Sequence, residues 1–138
     1  MHNSLPNLLV EIAKAADICN KPFKHSVLEH NFDSDNKKNQ DSLDDLILKI
    51  ESRNLDGVRY PEHDLELEIY KSGNDLHVML AWFEQPQRPI LWQGKHSMWM
   101  DAGNGKRCQA PLDGQYLESL ARRLRTLFIV NNSKNDLA

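Results

Sequence analysis

The segment 65–110 constrains the fold most, because its apolar residues recur at every second position. Leu65, Leu67 and Ile69 alternate with polar residues, which is typical of a strand with one buried and one solvated face. The next run, 76–83, is apolar at both sets of alternating positions, as in a strand that is central or covered on each side. All three tryptophans of the chain lie in the same segment. It therefore predicts an antiparallel sheet that is rich in aromatic residues.

Turn-forming residues divide this segment into strands. Glycine, asparagine and proline cluster between the apolar runs, and the dipeptide Asn104-Gly105 is the strongest hairpin signal in the chain. Further strand segments are predicted at 90–93, 95–101 and 107–110, with Gly94 as a bulge between the first two. The sequence therefore predicts an antiparallel meander of four or five strands.

Helical spacing of apolar residues predicts two helices before the sheet, at 5–19 and 43–53, and one after it, at 113–128. The last helix is amphipathic, and its apolar stripe consists of Leu117, Leu120, Ala121, Leu124, Leu127 and Phe128. Residues 23–30 fit either a helical turn or a weakly alternating strand. The predicted fold is α+β, with two N-terminal helices and a C-terminal amphipathic helix packed on the sheet.

The length of 138 residues predicts a single domain, 1–138. Residues 31–41 are almost wholly polar, and such a composition buries too little apolar surface to offset the entropy of ordering, so we expect a mobile loop there. The chain end, 129–138, is expected to be a frayed tail.

No catalytic or metal-binding constellation accompanies this fold. Cys108 and His96 are predicted on opposite faces of the last hairpin, which keeps a nucleophile out of reach of its base. The six histidines and two cysteines do not recur at the spacing of zinc or redox sites. We therefore predict a non-enzymatic protein with no cofactor. Since no signal peptide and no membrane-spanning apolar run are recognised, the predicted location is cytoplasmic.

Charge is unevenly distributed along the chain. Residues 1–84 contain nine Lys/Arg and sixteen Asp/Glu, whereas residues 94–128 contain six and three. The net charge of −3 disfavours a dedicated nucleic-acid binder. The arginines of the last helix also lie opposite its apolar stripe, where charged residues are expected in any case. Nucleic-acid binding through the basic C-terminal half is therefore only the third functional hypothesis.

The strands contain more large apolar residues than one sheet face can bury under a single helix. Either the N-terminal helices cover the second face, or part of that face is an exposed binding patch. The leading hypothesis is a protein that binds another macromolecule as an adaptor, assembly factor or regulator, with a protein as partner and a homo-oligomer as one form of that partnership. The predicted partner-binding residues are Trp92, Trp99, Arg88, Lys95, Lys106 and Arg107. The second hypothesis is an enzyme or small-ligand-binding domain with a dispersed site, which a pocket between sheet and helix would favour.

Overall fold

The computed structural model describes residues 5–29 and 45–137, and within these ranges the chain forms one six-stranded antiparallel sheet and two α-helices. Each strand pairs with the next one in sequence, so the sheet is a simple meander. The helices are α1 (Leu5–Cys19) and α2 (Gln115–Leu137). The strands are β1 (Lys24–Glu29), β2 (Asp45–Arg53), β3 (Leu65–Ser72), β4 (Asp75–Trp82), β5 (Ile90–Gln93) and β6 (Ser97–Met100). A short 3₁₀ helix, Pro61–His63, precedes β3.

The α+β class and the antiparallel meander predicted from the sequence are confirmed. Helix α1 has the predicted bounds, and α2 covers most of the predicted 113–128 and continues to Leu137. Its predicted stripe is buried at Leu117, Leu120, Ala121, Leu124 and Phe128, and Leu127 is partly buried. The fraying predicted for 129–138 stays a prediction, and the loop predicted at 31–41 lies outside the described residues.

The helix predicted at 43–53 is wrong, because residues 45–53 form strand β2. Leu46, Leu48 and Ile50 are buried, which is the every-second-residue pattern of a strand. Their neighbour Ile47 makes the run fit helical spacing equally well. The choice is settled by pairing on both sides: Ile50 lies opposite Val27 of β1 and Leu65 of β3.

Two further differences raise the strand number to six. Residues 24–29, which the sequence left open between helix and strand, form β1, with Val27 buried and Leu28 exposed. Gly94 is not a bulge, since the chain reverses there: β5 and β6 are antiparallel partners, with Gln93 opposite Ser97. A Cβ atom on Gly94 would lie 2.9 Å from the Trp92 ring, so any larger residue here would require that ring to shift.

The strand predicted at 107–110 is also wrong. Only Arg107 pairs with β6, through an isolated bridge to Met100, and the Cys108 N–H donates to the Trp99 carbonyl at 2.9 Å. The chain then turns through Pro111 towards α2, and proline has no N–H with which to continue a ladder.

Both helices pack on the same face of the sheet. Leu8 and Ile12 of α1 and Leu120 of α2 belong to one buried cluster with alternate residues of the strands, including Leu67 and Leu80. In the described ranges the other face of the sheet has no helix over it. The alternative in which N-terminal helices cover the second face is therefore wrong for α1. No helix in these ranges is long and apolar enough to cross a membrane.

Candidate functional site

The face of the sheet turned away from α1 and α2, which we call the open face, is apolar on β4, β5 and β6. Alternation along each strand determines which residues it presents. We call the following set the apolar patch: Met79, Ala81, Ile90, Trp92, Met98 and Met100. Each of them is partly exposed to solvent. The patch is contiguous, because strand register places these residues beside one another.

Register fixes the neighbours within the patch. Trp92 lies opposite Met79 on one side and Met98 on the other, and Ile90 lies opposite Met100. Directly opposed residues on one face have Cβ atoms only about 5 Å apart. Methionine is unbranched and polarisable, so it adapts its shape to different apolar partners, while tryptophan buries a large rigid area. The patch therefore combines one fixed anchor with three adaptable side chains.

The anchor, Trp92, is held in one orientation by two aromatic neighbours. Its Nε1–H donates to the Tyr70 hydroxyl at 3.0 Å, and its ring stacks on His77 with centroids 4.6 Å apart. The rings of Tyr70 and His77 are themselves 5.2 Å apart. His77 is 8% exposed under this stack, and its Nδ1 has no hydrogen-bond partner among the described residues. Trp92 is thus pre-organised at the surface.

The rest of the open face is mainly charged on β2 and β3, although Ile47 of β2 also lies on it, opposite Glu68. Glu66 and Glu68 alternate along β3, next to the patch. Lys49 of β2 reaches Glu51 at 3.5 Å and lies 4.2 Å above the centre of the Phe83 ring. This half has the polar composition of an ordinary solvated sheet face, so the apolar patch has a defined edge at β3.

Trp99 does not lie on the open face, which corrects the single surface predicted around Trp92 and Trp99. It is 4% exposed beneath α2, donates its Nε1–H to a Glu118 carboxylate oxygen at 2.7 Å and stacks on Trp82 at 6.0 Å. The reason is the reversal at Gly94: Trp92 pairs with Met98, so the next residue along β6 faces the opposite way.

The predicted basic residues are also divided between the faces. Arg88 lies on the helix side, with its guanidinium 3.5 Å from the centre of the Trp82 ring and hydrogen-bonded to Asp113. Arg107 is exposed and shares the open face with Met100, its bridge partner. Lys95, in the β5–β6 turn, and Lys106, in the loop after β6, are exposed near opposite ends of β6. The structure therefore brings Arg107, but not Arg88, to the edge of the patch.

Of the apolar patch, the sequence-based set contained only Trp92, and it also missed Tyr70 and His77. Alternation along 76–83 placed Met79 on the face opposite Val78 and Leu80, but both faces of this run are apolar, so the pattern did not show which of them is the core. The contacts of Tyr70 and His77 with Trp92 required the strand register, which the sequence alone did not supply.

A second candidate site is a cleft of about 600 Å³ between one end of the sheet and the start of α2. Its lining consists of Asn20, Glu62, His63, Trp82, Gln85, Arg88, Leu112, Asp113, Gln115 and Tyr116. The rings of His63 and Tyr116 are stacked at 6.2 Å, and the His63 Nδ1 is buried without a hydrogen-bond partner in the described ranges. Burial raises the pKa of Tyr116, whose hydroxyl accepts a hydrogen bond from Trp82 Nε1 at 3.2 Å. The cleft offers aromatic walls and both signs of charge.

Among the described residues, no group of three His, Cys, Asp or Glu side chains could hold a metal ion. Cys108 packs against the core, while His96 is exposed in the β5–β6 turn. His25 contacts Asp17 at 2.9 Å, and burial lowers the pKa of His25 despite that carboxylate.

The chain belongs to a family described as a domain of unknown function (DUF8659), whose profile matches residues 9–127. Neither curated proteins nor solved structures include a significant match to this chain.

Proposed function

We propose that the protein is non-enzymatic and binds another protein through the apolar patch of its open face. The observation that carries the proposal is the one-sided placement of the helices, which leaves Trp92 and three methionines without cover in the described part of the chain. Contiguous exposed apolar surface of this kind is typical of interaction sites. Tryptophan is among the residues that most often dominate binding energy.

A protein partner is favoured over nucleic acid by the charges around the patch. Glu66 and Glu68 border it on β3, where their carboxylates repel phosphates, and Arg107 lies at its other edge. Binding of nucleic acid gains most of its affinity from several Lys and Arg contacts to the backbone. One face of the Trp92 ring is also occupied by His77, which leaves less of the indole for stacking on bases.

A cytoplasmic location is part of the same proposal. Cys19 and Cys108 form no disulfide, which suits a reducing compartment.

The test compares two substitutions that each place a glutamate on the surface. Met98→Glu introduces a charge into the patch, and Val10→Glu introduces the same charge on α1, where Val10 is 52% exposed. Tagged wild type and variants are used to recover partners from native lysate after their melting temperatures have been compared. We expect Met98→Glu to lose the partner that Val10→Glu and wild type retain. Equal recovery by both variants would contradict the proposal.

The cleft supports a second candidate function, the binding of a small ligand. Its volume of about 600 Å³ lies within the range of roughly 300–1,000 Å³ of ligand sites. The Nδ1 of His63, which is buried without a hydrogen-bond partner among the described residues, is a polar group that a ligand would satisfy. A thermal-shift screen of aromatic acids, amines and nucleotides tests this function. We expect a stabilising compound to lose its effect on Arg88→Ala but not on Arg107→Ala, which lies on the other face.

A further inference from the structure

Charge is arranged on the open face so that an acid and a base flank the same apolar row. Glu66 lies opposite Ala81, Ile90 lies opposite Met100, and Met100 lies opposite Arg107. Ala81 of β4 and Ile90 of β5 are the next pair of opposed positions after Leu80 and Leu91. The row therefore begins at an exposed carboxylate on β3 and ends at an exposed guanidinium beyond β6.

Strand β5 lies midway between these two charges. Glu66 is two strands away on one side, across β4, and Arg107 is two strands away on the other side, across β6. With strands about 4.8 Å apart, each charge is about 10 Å from β5. A two-fold axis parallel to β5 would therefore place Glu66 of one copy over Arg107 of the other.

The same axis places apolar side chains in suitable pairs. Met79 of one copy lies over Met98 of the other, because both are one strand from β5 in the row of Trp92. Ala81 lies over Met100 in the neighbouring row, so a small side chain faces a large one. Trp92 is on the axis, where two indoles meet.

We infer that the apolar patch is the interface of a symmetric homodimer, with the two open faces stacked and the two-fold axis along β5. This inference rests on the proposed function and identifies its partner as a second copy of the chain. Face-to-face sheets pack about 10 Å apart with their strands roughly aligned, as this axis requires. A two-fold axis perpendicular to the strands would bring the acidic side of one copy against the acidic side of the other. The charges therefore select the orientation, as isologous interfaces require self-complementarity.

The contacts of Lys49 support this arrangement, because its ammonium is directed to Glu51 and Phe83. Lys49 is the register neighbour of Glu66 on β2, but its ammonium reaches Glu51 at 3.5 Å and lies over Phe83. Arg107 of the second copy would supply a cation to the other side of Glu66.

The test measures the mass of the full chain in solution over a concentration series, by sedimentation velocity, for wild type and charge variants. We expect a wild-type dimer that Met98→Glu converts to monomer. Arg107→Glu and Glu66→Arg should each weaken dimerisation roughly tenfold, because each creates two like-charge contacts across the interface. The double variant, Glu66→Arg with Arg107→Glu, should restore it. Arg123→Glu, on the exposed side of α2, is the control and should leave the dimer intact.

Three outcomes would overturn the inference: a wild type that stays monomeric, a dimer that Met98→Glu leaves intact, or a double charge variant no tighter than the single ones. A monomeric wild type whose native partner is lost with Met98→Glu overturns the homodimer and leaves the proposed function standing. Unchanged partner recovery and unchanged mass with Met98→Glu would remove both.

Discussion

The buried carboxylate of Asp64 should be the most sensitive polar group in the fold. Its side chain is 0% exposed and accepts three hydrogen bonds, from the Ser52 N–H at 2.8 Å and from two nitrogens of Arg59 at 3.0 and 2.7 Å. The Asp64 carbonyl also accepts from the Phe83 N–H at 2.9 Å. One residue thus connects the end of β2, the following loop and the end of β4.

Replacing Arg59 with alanine should cost about 3–5 kcal/mol of unfolding free energy, because the carboxylate stays buried without its counter-charge. Replacing Asp64 with alanine should cost less, about 1–3 kcal/mol for the buried N–H of Ser52 left without an acceptor. After the loss of Asp64, the Arg59 guanidinium can still be solvated or paired, because it is 33% exposed and lies 3.5 Å from Glu51. For a domain stable by about 5–15 kcal/mol, the Arg59 variant loses a large part of its stability.

Urea unfolding followed by tryptophan fluorescence and circular dichroism measures both changes. Arg53→Ala is the matched control, since Arg53 is 37% exposed and 3.8 Å from Glu51, and surface pairs contribute about 0–1 kcal/mol. An Arg59→Ala protein no less stable than Arg53→Ala would refute the argument that Asp64 depends on its counter-charge.

Three further predictions use the same unfolding assay. Leu124→Ala should cost about 2–5 kcal/mol through lost burial and a cavity, whereas Arg123→Ala should cost under ~0.5 kcal/mol; similar costs would contradict the assigned faces of α2. The folded-state pKa of His25 is lowered below its ordinary 6.5. The contribution of neutral His25 to the free energy of unfolding is therefore full above pH 6.5 and is lost as the pH falls below 6.5. His25→Gln should remove that slope. The Arg125 hydrogen bond lowers the pKa of Asp75 from its ordinary 3.8, so stability is lost as pH falls below 3.8. Arg125→Gln should make that loss shallower, and an unchanged acid limb would speak against the pair.

Those elements with a single clear periodicity could be predicted from the sequence. Helix α1, strand β3 and the stripe of α2 each fit only one repeat, and the structure confirms them. Strand β4 is apolar at both sets of alternating positions and was predicted from its short apolar run after a turn, and the structure confirms it as well. Strand β2 could not be predicted this way, because Leu46, Ile47 and Ile50 suit a helix while Leu46, Leu48 and Ile50 suit a strand. Pairing with two neighbouring strands decided between them, and pairing is a tertiary interaction.

The candidate site could be predicted only in part, for a reason that concerns one residue. A bulge at Gly94 inserts one residue into a continuous strand and so places Trp92 and Trp99 on the same face. A reversal at Gly94 makes two antiparallel strands in which Trp92 pairs with Met98, so Trp99 faces the core. Glycine is compatible with both conformations, and the single letter does not distinguish them. The surface predicted around two tryptophans therefore retains only one of them.

The two candidate sites lie on opposite sides of the sheet, and this makes their functions separable. Trp82, at the end of β4, points into the cleft beside α2, whereas Trp92 of β5 points to the open face. A ligand in the cleft would therefore not compete directly with a protein on the apolar patch. Met98→Glu should abolish binding of the partner while leaving the stabilisation by a cleft ligand unchanged. Arg88→Ala should abolish the stabilisation by the ligand while leaving binding of the partner unchanged. If each substitution instead abolished both activities, the two faces would be energetically coupled through β4 and β5.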